Sequence, residues 1–321
     1  MKYQDFENLM ICPECRLPLD RKGDIFNCSG NCGCEYPVYF GIPVIISCKN
    51  PVFKVTDFAD QSPPDIFFKK YNNPILRLLK QLKPDITLNK QSKKNYAAIA
   101  ELIADIPQPK ILIIGGSIDG QGISALKQQL PTDTILIESD VAHGPNTNII
   151  LDAHHIPFKD ESFDLVIAQA VLEHVLDPFQ CVKEIHRVLK PQGMMYAETP
   201  FMQQVHGGKY DFHRFTHLGH RRLFRQFTEL NSGVIAGPGS VMAWSALYFM
   251  TGFAPTKKID KMISFCGSFL VFWWKYFDYL YNSQKGGVYD AACGLFFLGK
   301  KEPGYVLADE ELLSGYRGHK S

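Results

Sequence analysis

The chain has 321 residues, 45% hydrophobic and 21% charged, enough apolar material for one full α/β core with a small satellite domain. Its net charge of +1 gives no electrostatic case for duplex or structured RNA as a partner, because phosphate binding normally shows as a basic excess. No internal repeat or low-complexity tract is evident.

The first predicted element is a cysteine module over residues 1–50. Cys12-Pro13-Glu14-Cys15 is followed by Cys28, Cys32 and Cys34. Two such knuckles can place four thiolates around zinc, and the bound metal then stabilises a segment too short to bury its own core. The expected ligands are Cys12, Cys15, Cys28 and Cys32, with Cys34 able to replace Cys32 because the second knuckle is irregular. A disulfide pair is the alternative, disfavoured because no secretory leader is expected ahead of these cysteines. The module resembles the zinc ribbons attached to or partnered with methyltransferases. Cys48, Cys181, Cys266 and Cys293 are scattered and read as buried apolar fillers.

Residues 51–95 read as a connector with helices. Pro51, Pro63-Pro64, Pro74 and Pro84 punctuate it, and apolar residues recur at helical spacing over 75–82 and again over 96–103.

Next comes a strand, Ile111-Leu112-Ile113-Ile114, which breaks into Gly115-Gly116-Ser117-Ile118-Asp119-Gly120-Gln121-Gly122. Parallel strands covered by helices on both faces must be continuously apolar, and ligands bind at their carboxyl ends. Glycines there let the backbone turn sharply and let a ligand approach without a Cβ in the way. A second run ends in Glu138 and Asp140, where a carboxylate can accept both hydroxyls of a ribose. A third ends at Asp152, a fourth spans 162–168, and a helix follows that stops at Lys190-Pro191-Gln192-Gly193. A ribose-bearing cofactor is implied.

Four segments in order, Asp152-Ala153-His154-His155-Ile156-Pro157-Phe158, Ser162-Phe163-Asp164, Val171-Leu172-Glu173-His174-Val175 and residues 184–193, resemble class I S-adenosylmethionine-dependent methyltransferases. A glycine-rich turn alone would also fit a dinucleotide dehydrogenase, but the Asp-Ala-x-x-x-Pro-Phe segment and the Leu-Lys-Pro-x-Gly helix end belong to methyltransferases. The resemblance covers roughly 96–235 plus the strand-like 294–299. It implies a Rossmann-like, mostly parallel seven-stranded sheet with helices on both faces, over residues 96–300. It also implies S-adenosylmethionine contacts from Gly115, Gly116, Ser117, Asp119, Gly120, Asp140, Asp152, Ala153, Gln169, Glu173 and His174. Asp140 is preferred to Glu138 for the ribose because Gly144-Pro145 and the spacing to Asp152 fit the family pattern. Asp119 is included because Ile113 stands where the family usually has an acid.

After the next strand, Tyr196-Ala197-Glu198-Thr199-Pro200-Phe201, a loop concentrates His206, Tyr210, Asp211, His213 and Arg214, which makes it the candidate acceptor site. The competing reading is an Asp211–Arg214 ion pair that braces a turn. No Asn-Pro-Pro-Tyr-like tetrad, the mark of base amino-group methylation, follows the fourth strand, where Glu198-Thr199-Pro200-Phe201 is expected to stand. Between the expected last two strands, 233–236 and 295–298, lies an aromatic, apolar insertion at about 240–290. Lys275 and Asp278 interrupt it, so it suits a buried cap or an interfacial, lipid-facing lid better than a membrane span. Residues 301–321 read as a polar, mobile tail.

These readings converge on a cytoplasmic S-adenosylmethionine-dependent methyltransferase with a structural Zn2+, acting on a small-molecule, glycan or lipid-linked acceptor. Peripheral membrane contact through 243–281 is its expected surface partner. An rRNA methyltransferase with an N-terminal zinc module and a non-catalytic cofactor-fold scaffold are the alternatives.

Overall fold

The computed structural model describes residues 2–60, 78, 81–280 and 286–319. Most of the helix expected over 75–82, together with Pro63, Pro64, Pro74, Tyr281, Lys320 and Ser321, lies outside them.

Four short strands, β1 (Leu19–Lys22), β2 (Ile25–Cys28), β3 (Glu35–Tyr39) and β4 (Ile42–Pro43), form an N-terminal antiparallel sheet in sequential order. The apolar runs that follow become the central sheet: β5 (Lys110–Ile114), β6 (Ile135–Asp140), β7 (Ile149–Ile150), β8 (Phe163–Gln169), β9 (Leu189–Pro200), β10 (Thr228–Ala236) and β11 (Gly294–Lys300). Its order is β10-β11-β9-β8-β5-β6-β7, with β11 antiparallel to both neighbours and the other pairings parallel. This is the Rossmann-like seven-stranded sheet that the apolar runs and the family resemblance imply.

Residues of β5 divide between two cores, as the two-residue period of a strand requires. Leu112 and Ile114 join Phe158, Val166 and Ile185 on one face; Ile111 and Ile113 join Tyr96, Ile99 and Ile167 on the other. Helices α1 (Ser92–Ile103) and α2 (Ile123–Lys127) lie over the second face. Helix α3 (Pro178–Val188) covers the first. It starts at Asp177, whose side chain accepts from the Gln180 N–H, and has Pro178 in its first turn. The Lys190-Pro191-Gln192-Gly193 segment expected as a helix stop opens β9 instead, with Gln192 at φ 67.

The sheet order moves one motif. The fourth parallel strand is β8, which ends at Gln169 and runs into Ala170-Val171-Leu172; Glu198-Thr199-Pro200 closes the fifth, β9. The tetrad position therefore holds Gln169 to Leu172, still without an Asn-Pro-Pro-Tyr pattern.

Residues of the N-terminal module share the central core. Tyr3, Phe6, Met10, Phe26 and Tyr36 belong to the same apolar cluster as Phe158 and Phe163. The Ile45 N–H donates to Ile150 O at 2.9 Å, and Val44 bridges Ile150 in parallel, so this segment covers the β7 edge.

Between β10 and β11 come α5 (Pro238–Thr251), α6 (Lys257–Val271) and a 3-10 segment, Phe272–Tyr279, where the insertion was expected. Short helices α4 (His217–Leu223), α7 (Gly287–Asp290) and α8 (Asp309–Ser314) complete the order. The expected mobile tail is docked instead: Leu307 and Leu312 are buried, and Arg317 pairs with Glu229 at 2.9 Å. Two cysteine expectations also change. Cys266 is exposed, and Cys48 is exposed and disulfide-bonded to Cys34, whereas Cys181 and Cys293 are buried as expected.

Candidate functional site

A cavity of about 350 Å³ opens at the carboxyl ends of β5, β6 and β8. The loop after β5 makes room for it with glycines. Gly115 has φ 74, and a Cβ there would lie 2.5 Å from Val171 Cγ2. A Cβ on Gly120 would lie 2.0 Å from Gln169 Oε1.

Of the expected cofactor residues, Gly115, Gly116, Ser117, Gly120, Asp140, Asp152, Ala153, Gln169 and His174 line the cavity. Asp119 and Glu173 are not among its lining residues. Asp119 is turned to Lys127 (2.6 Å), Ser124 (2.8 Å) and Asn146 (2.9 Å), and Ile113 lines the cavity without any carboxylate standing in for the family acid.

The two strand-end acids have different partners. Glu138 is held by Lys127 at 2.7 Å. Asp140 accepts from the Ser117 N–H at 3.2 Å and the Val141 N–H at 2.7 Å, with lone pairs left over. Burial pushes its carboxyl above the usual range, against the lowering effect of those hydrogen bonds. Asp152 accepts from His154 Nδ1 (2.5 Å), the His154 N–H (2.9 Å) and Asn50 Nδ2 (2.5 Å). Burial opposes its ionisation, but His154 prevails and holds it low. Gln169 donates to Glu198 (3.0 Å) and to Gln121 O (3.1 Å), leaving its Oε1 buried with no hydrogen-bond partner.

Motif reading missed the apolar wall. Val52 and Phe53 reach the cavity from the connector, and Phe53 stacks on Tyr210 with ring centroids 6.3 Å apart. Only Pro51 beside them marks that stretch, so no local pattern could have found them. Val171 and Val175, which also line the cavity, flank Glu173-His174 within a quoted motif and were recoverable from it.

In the loop after β9, Tyr210 lines the cavity, and so does Phe212. Asp211 is bound by Arg214, and accepts from the N–H groups of His206 (2.7 Å) and Gly207 (3.1 Å). Burial opposes the charge on Asp211, yet Arg214 and those N–H groups hold its carboxyl well below the usual range. Arg214 also donates to Gln203 O and Gln204 O, so the pair is spent on the loop itself. His213 approaches Leu176 O at 3.2 Å and stacks on Phe215. Behind the loop, Glu173 is fully buried, and burial pushes its carboxyl up to about 8.

The insertion reaches this loop, and none of its described residues lines the cavity. Tyr248 donates to Val205 O at 2.5 Å, and Gln204 donates to Ser245 at 2.9 Å.

At the N-terminus, the sulfurs of Cys12, Cys15, Cys28 and Cys32 converge within 4.8 Å of one another. Cys34 is paired with Cys48, which leaves Cys32 as the fourth member of the cluster.

Residues 112–197 match the family described as Methyltransferase domain. The matched span runs from β5 into β9 and includes the glycine turn and the strand ends that border the cavity. Curated relatives align over the same kind of span. A human protein named "Arginine-hydroxylase NDUFAF5, mitochondrial" is 32% identical over 110 residues, 30% of this chain and 30% of its own. A Mycolicibacterium smegmatis protein described as a probable S-adenosylmethionine-dependent methyltransferase is 31% identical over 101 residues, 32% of this chain and 33% of its own. A Lactobacillus johnsonii demethylmenaquinone methyltransferase is 52% identical over 42 residues, 13% of this chain and 17% of its own. The chain thus aligns with a third or less of each relative.

Proposed function

We propose that this chain binds S-adenosylmethionine in the cavity at the ends of β5, β6 and β8 and methylates an amphipathic small-molecule, glycan or lipid-linked acceptor. The observation that carries the proposal is Asp140, a partly buried carboxylate with lone pairs left over at the end of β6, facing a glycine turn inside a segment that matches methyltransferases. The residues present suit the cofactor. Asp140 accepts the ribose hydroxyls, and Asp152 and Ala153 border the adenine end. The orphaned Gln169 Oε1 accepts a hydrogen bond from the ammonium of the methionine portion, the task Ile113 cannot perform. When bound, the sulfonium supplies an electrophilic methyl group.

What remains for the protein is to hold the acceptor in line and keep water out. Tyr210, Phe212 and Phe53 form that wall, with His206 next to it, while Asp211, Arg214 and His213 fix the loop that carries them. Cys12, Cys15, Cys28 and Cys32 hold a structural zinc outside the chemistry. An apolar acceptor agrees with the mostly apolar cavity wall and with the demethylmenaquinone methyltransferase among the relatives.

Calorimetric titration with S-adenosylmethionine and S-adenosylhomocysteine tests the reading. Asp140→Ala should bind at least tenfold more weakly, about 1.4 kcal/mol for the lost charge-assisted hydrogen bonds. Asp119→Ala should bind as the wild type does. A wild type that binds neither compound is a scaffold, and the methyltransferase reading then fails.

A further inference from the structure

Glu173 presents a problem that the cofactor site does not solve. Its side chain is 1% exposed, and neither carboxylate oxygen has a hydrogen-bond partner. A buried carboxylate without partners is costly enough that native structures supply a counter-group. Arg214, the nearby cation, is already committed to Asp211. What faces Glu173 Oε1 is a pair of imidazole nitrogens, His174 Nε2 at 3.7 Å and His206 Nε2 at 3.8 Å. Those separations are too long for hydrogen bonds. They are close to the ~3.4 Å that separates two ligands lying about 2.1 Å from one tetrahedral ion.

Both rings are turned with Nε2 toward Glu173 Oε1. His174 Nδ1 lies 2.7 Å from Tyr210 O, and His206 Nδ1 lies 3.4 Å from Gln204 O. A backbone carbonyl accepts only from a protonated Nδ1, which puts the lone pair on Nε2. Orientation of a ligand imidazole by a hydrogen bond at its other nitrogen is the usual second-shell arrangement of metal sites. The three ligand atoms lie within 4.8 Å of one another.

We infer that Glu173, His174 and His206 bind a divalent first-row transition ion, in a site separate from the cysteine cluster and bordering the cofactor cavity. The donor set of two imidazoles and one carboxylate suits zinc, iron or cobalt and leaves coordination positions open. His174 is itself a cavity residue, so the ion would sit at the cavity wall. The site draws one ligand from the loop after β9 and two from the segment after β8. It would therefore tie the loop after β9 to the segment after β8.

Cobalt is the probe, because it reports its donors. The full chain is first given one equivalent of Zn2+, which the four thiolates take ahead of a mixed imidazole–carboxylate site, and is then titrated with Co2+ and followed by visible absorption. One equivalent should bind and give ligand-field bands without the near-ultraviolet charge transfer of a cobalt–thiolate bond. His206→Ala, at a partly exposed loop position, and Glu173→Gln should each weaken that binding at least tenfold with unchanged S-adenosylhomocysteine affinity. Cys15→Ser should leave it as it is. If the zinc-loaded wild type takes up no cobalt, or if His206→Ala binds it as tightly, the site does not exist. Loss of S-adenosylhomocysteine binding by the wild type would instead count against the methyltransferase reading, which this titration does not need.

Discussion

His220 lies in α4 with its ring edge-on to Phe224, centroids 4.9 Å apart, and tilted against Phe215. It is 3% exposed and its Nε2 has no hydrogen-bond partner. Burial, assisted by His217 and Arg221, pushes its pKa down to about 3 from the ordinary 6.5. The folded state therefore holds this imidazole neutral while the unfolded chain protonates it, so the unfolded state binds more protons at any pH between these two values. Stability must fall as pH drops through 6.5, by at most about 1.4 kcal/mol per pH unit from this residue. Urea melts of the wild type and of His220→Phe across pH 4 to 7 should diverge at the acid end, with the variant's curve flatter. Any repacking cost of the phenyl ring shifts the whole curve and leaves its slope alone, and His220→Gln provides a second check. Parallel curves would refute the assignment. At this scale the sequence showed most where chemistry is local. Gly115, Asp140 and the four clustered cysteines could be picked out because a turn, a strand end and a cysteine knuckle each show as particular residue types at short spacing. Asp119 was misjudged for the same reason: it lies in the right loop, but Lys127, one turn into α2, draws it away. Phe53 and the orphaned oxygens of Glu173 emerge only from contacts between distant segments.

Helix α5 illustrates what an element-level reading leaves out. Its N-cap is Gly237, which offers no side chain, so the first N–H groups of the helix need acceptors from elsewhere. Asp278 provides them, accepting from the N–H groups of Gly237 (3.1 Å), Gly239 (2.7 Å) and Ser240 (3.2 Å) and from Ser240 Oγ (2.7 Å). In sequence the same residue reads as a charge interrupting an apolar run. In the fold it is a 4% exposed anion at the positive end of a helix dipole, locking the 3-10 segment onto α5. Asp278→Ala should cost roughly 2 to 3 kcal/mol, as expected for losing hydrogen bonds to a charged group, and Asp278→Asn should cost less because one acceptor oxygen remains. Hydrogen exchange would show the loss concentrated in α5, and an unaltered exchange pattern would mean that the helix start is satisfied by solvent. The seven strands, α3 and the position of the insertion were all legible, since each rests on apolar periodicity. The partners of capping groups were not, because 38 to 41 residues of chain separate donor from acceptor with no pattern between them.

Across the whole molecule, the two edges of the central sheet are treated differently. The β7 edge is covered by the N-terminal module, whose apolar residues enter the common core, so those residues are held by packing as well as by their cysteines. The opposite end carries the insertion, whose described residues include several exposed large apolar side chains. Phe249 (70% exposed), Phe253 (73%), Leu270 (70%), Trp273 (63%) and Leu280 (76%) are too many large side chains to be incidental. No helix among the described residues is long and apolar enough to cross a membrane. The exposed Lys257, Lys258 and Lys261 open α6 within the same insertion, and a helix with a basic start and aromatic residues fits the surface of an anionic bilayer. Phe272, which the apolar run alone would nominate as a contact, is half-buried against the Ile86, Ala243 and Val271 cluster, so Phe277, 52% exposed, takes its place. The protein should sediment with vesicles containing phosphatidylserine and far less with pure phosphatidylcholine, since each lysine near the surface contributes about 1 kcal/mol. Trp273→Ala with Phe277→Ala should weaken vesicle binding at least tenfold with an unchanged melting curve and unchanged S-adenosylhomocysteine affinity, as neither side chain supports the core. Replacing the three lysines by glutamate should remove the preference for anionic lipid. If the wild type stays in the supernatant with both vesicle types, these exposed side chains are not a membrane contact, and an acceptor delivered from solution becomes the better account of the cavity.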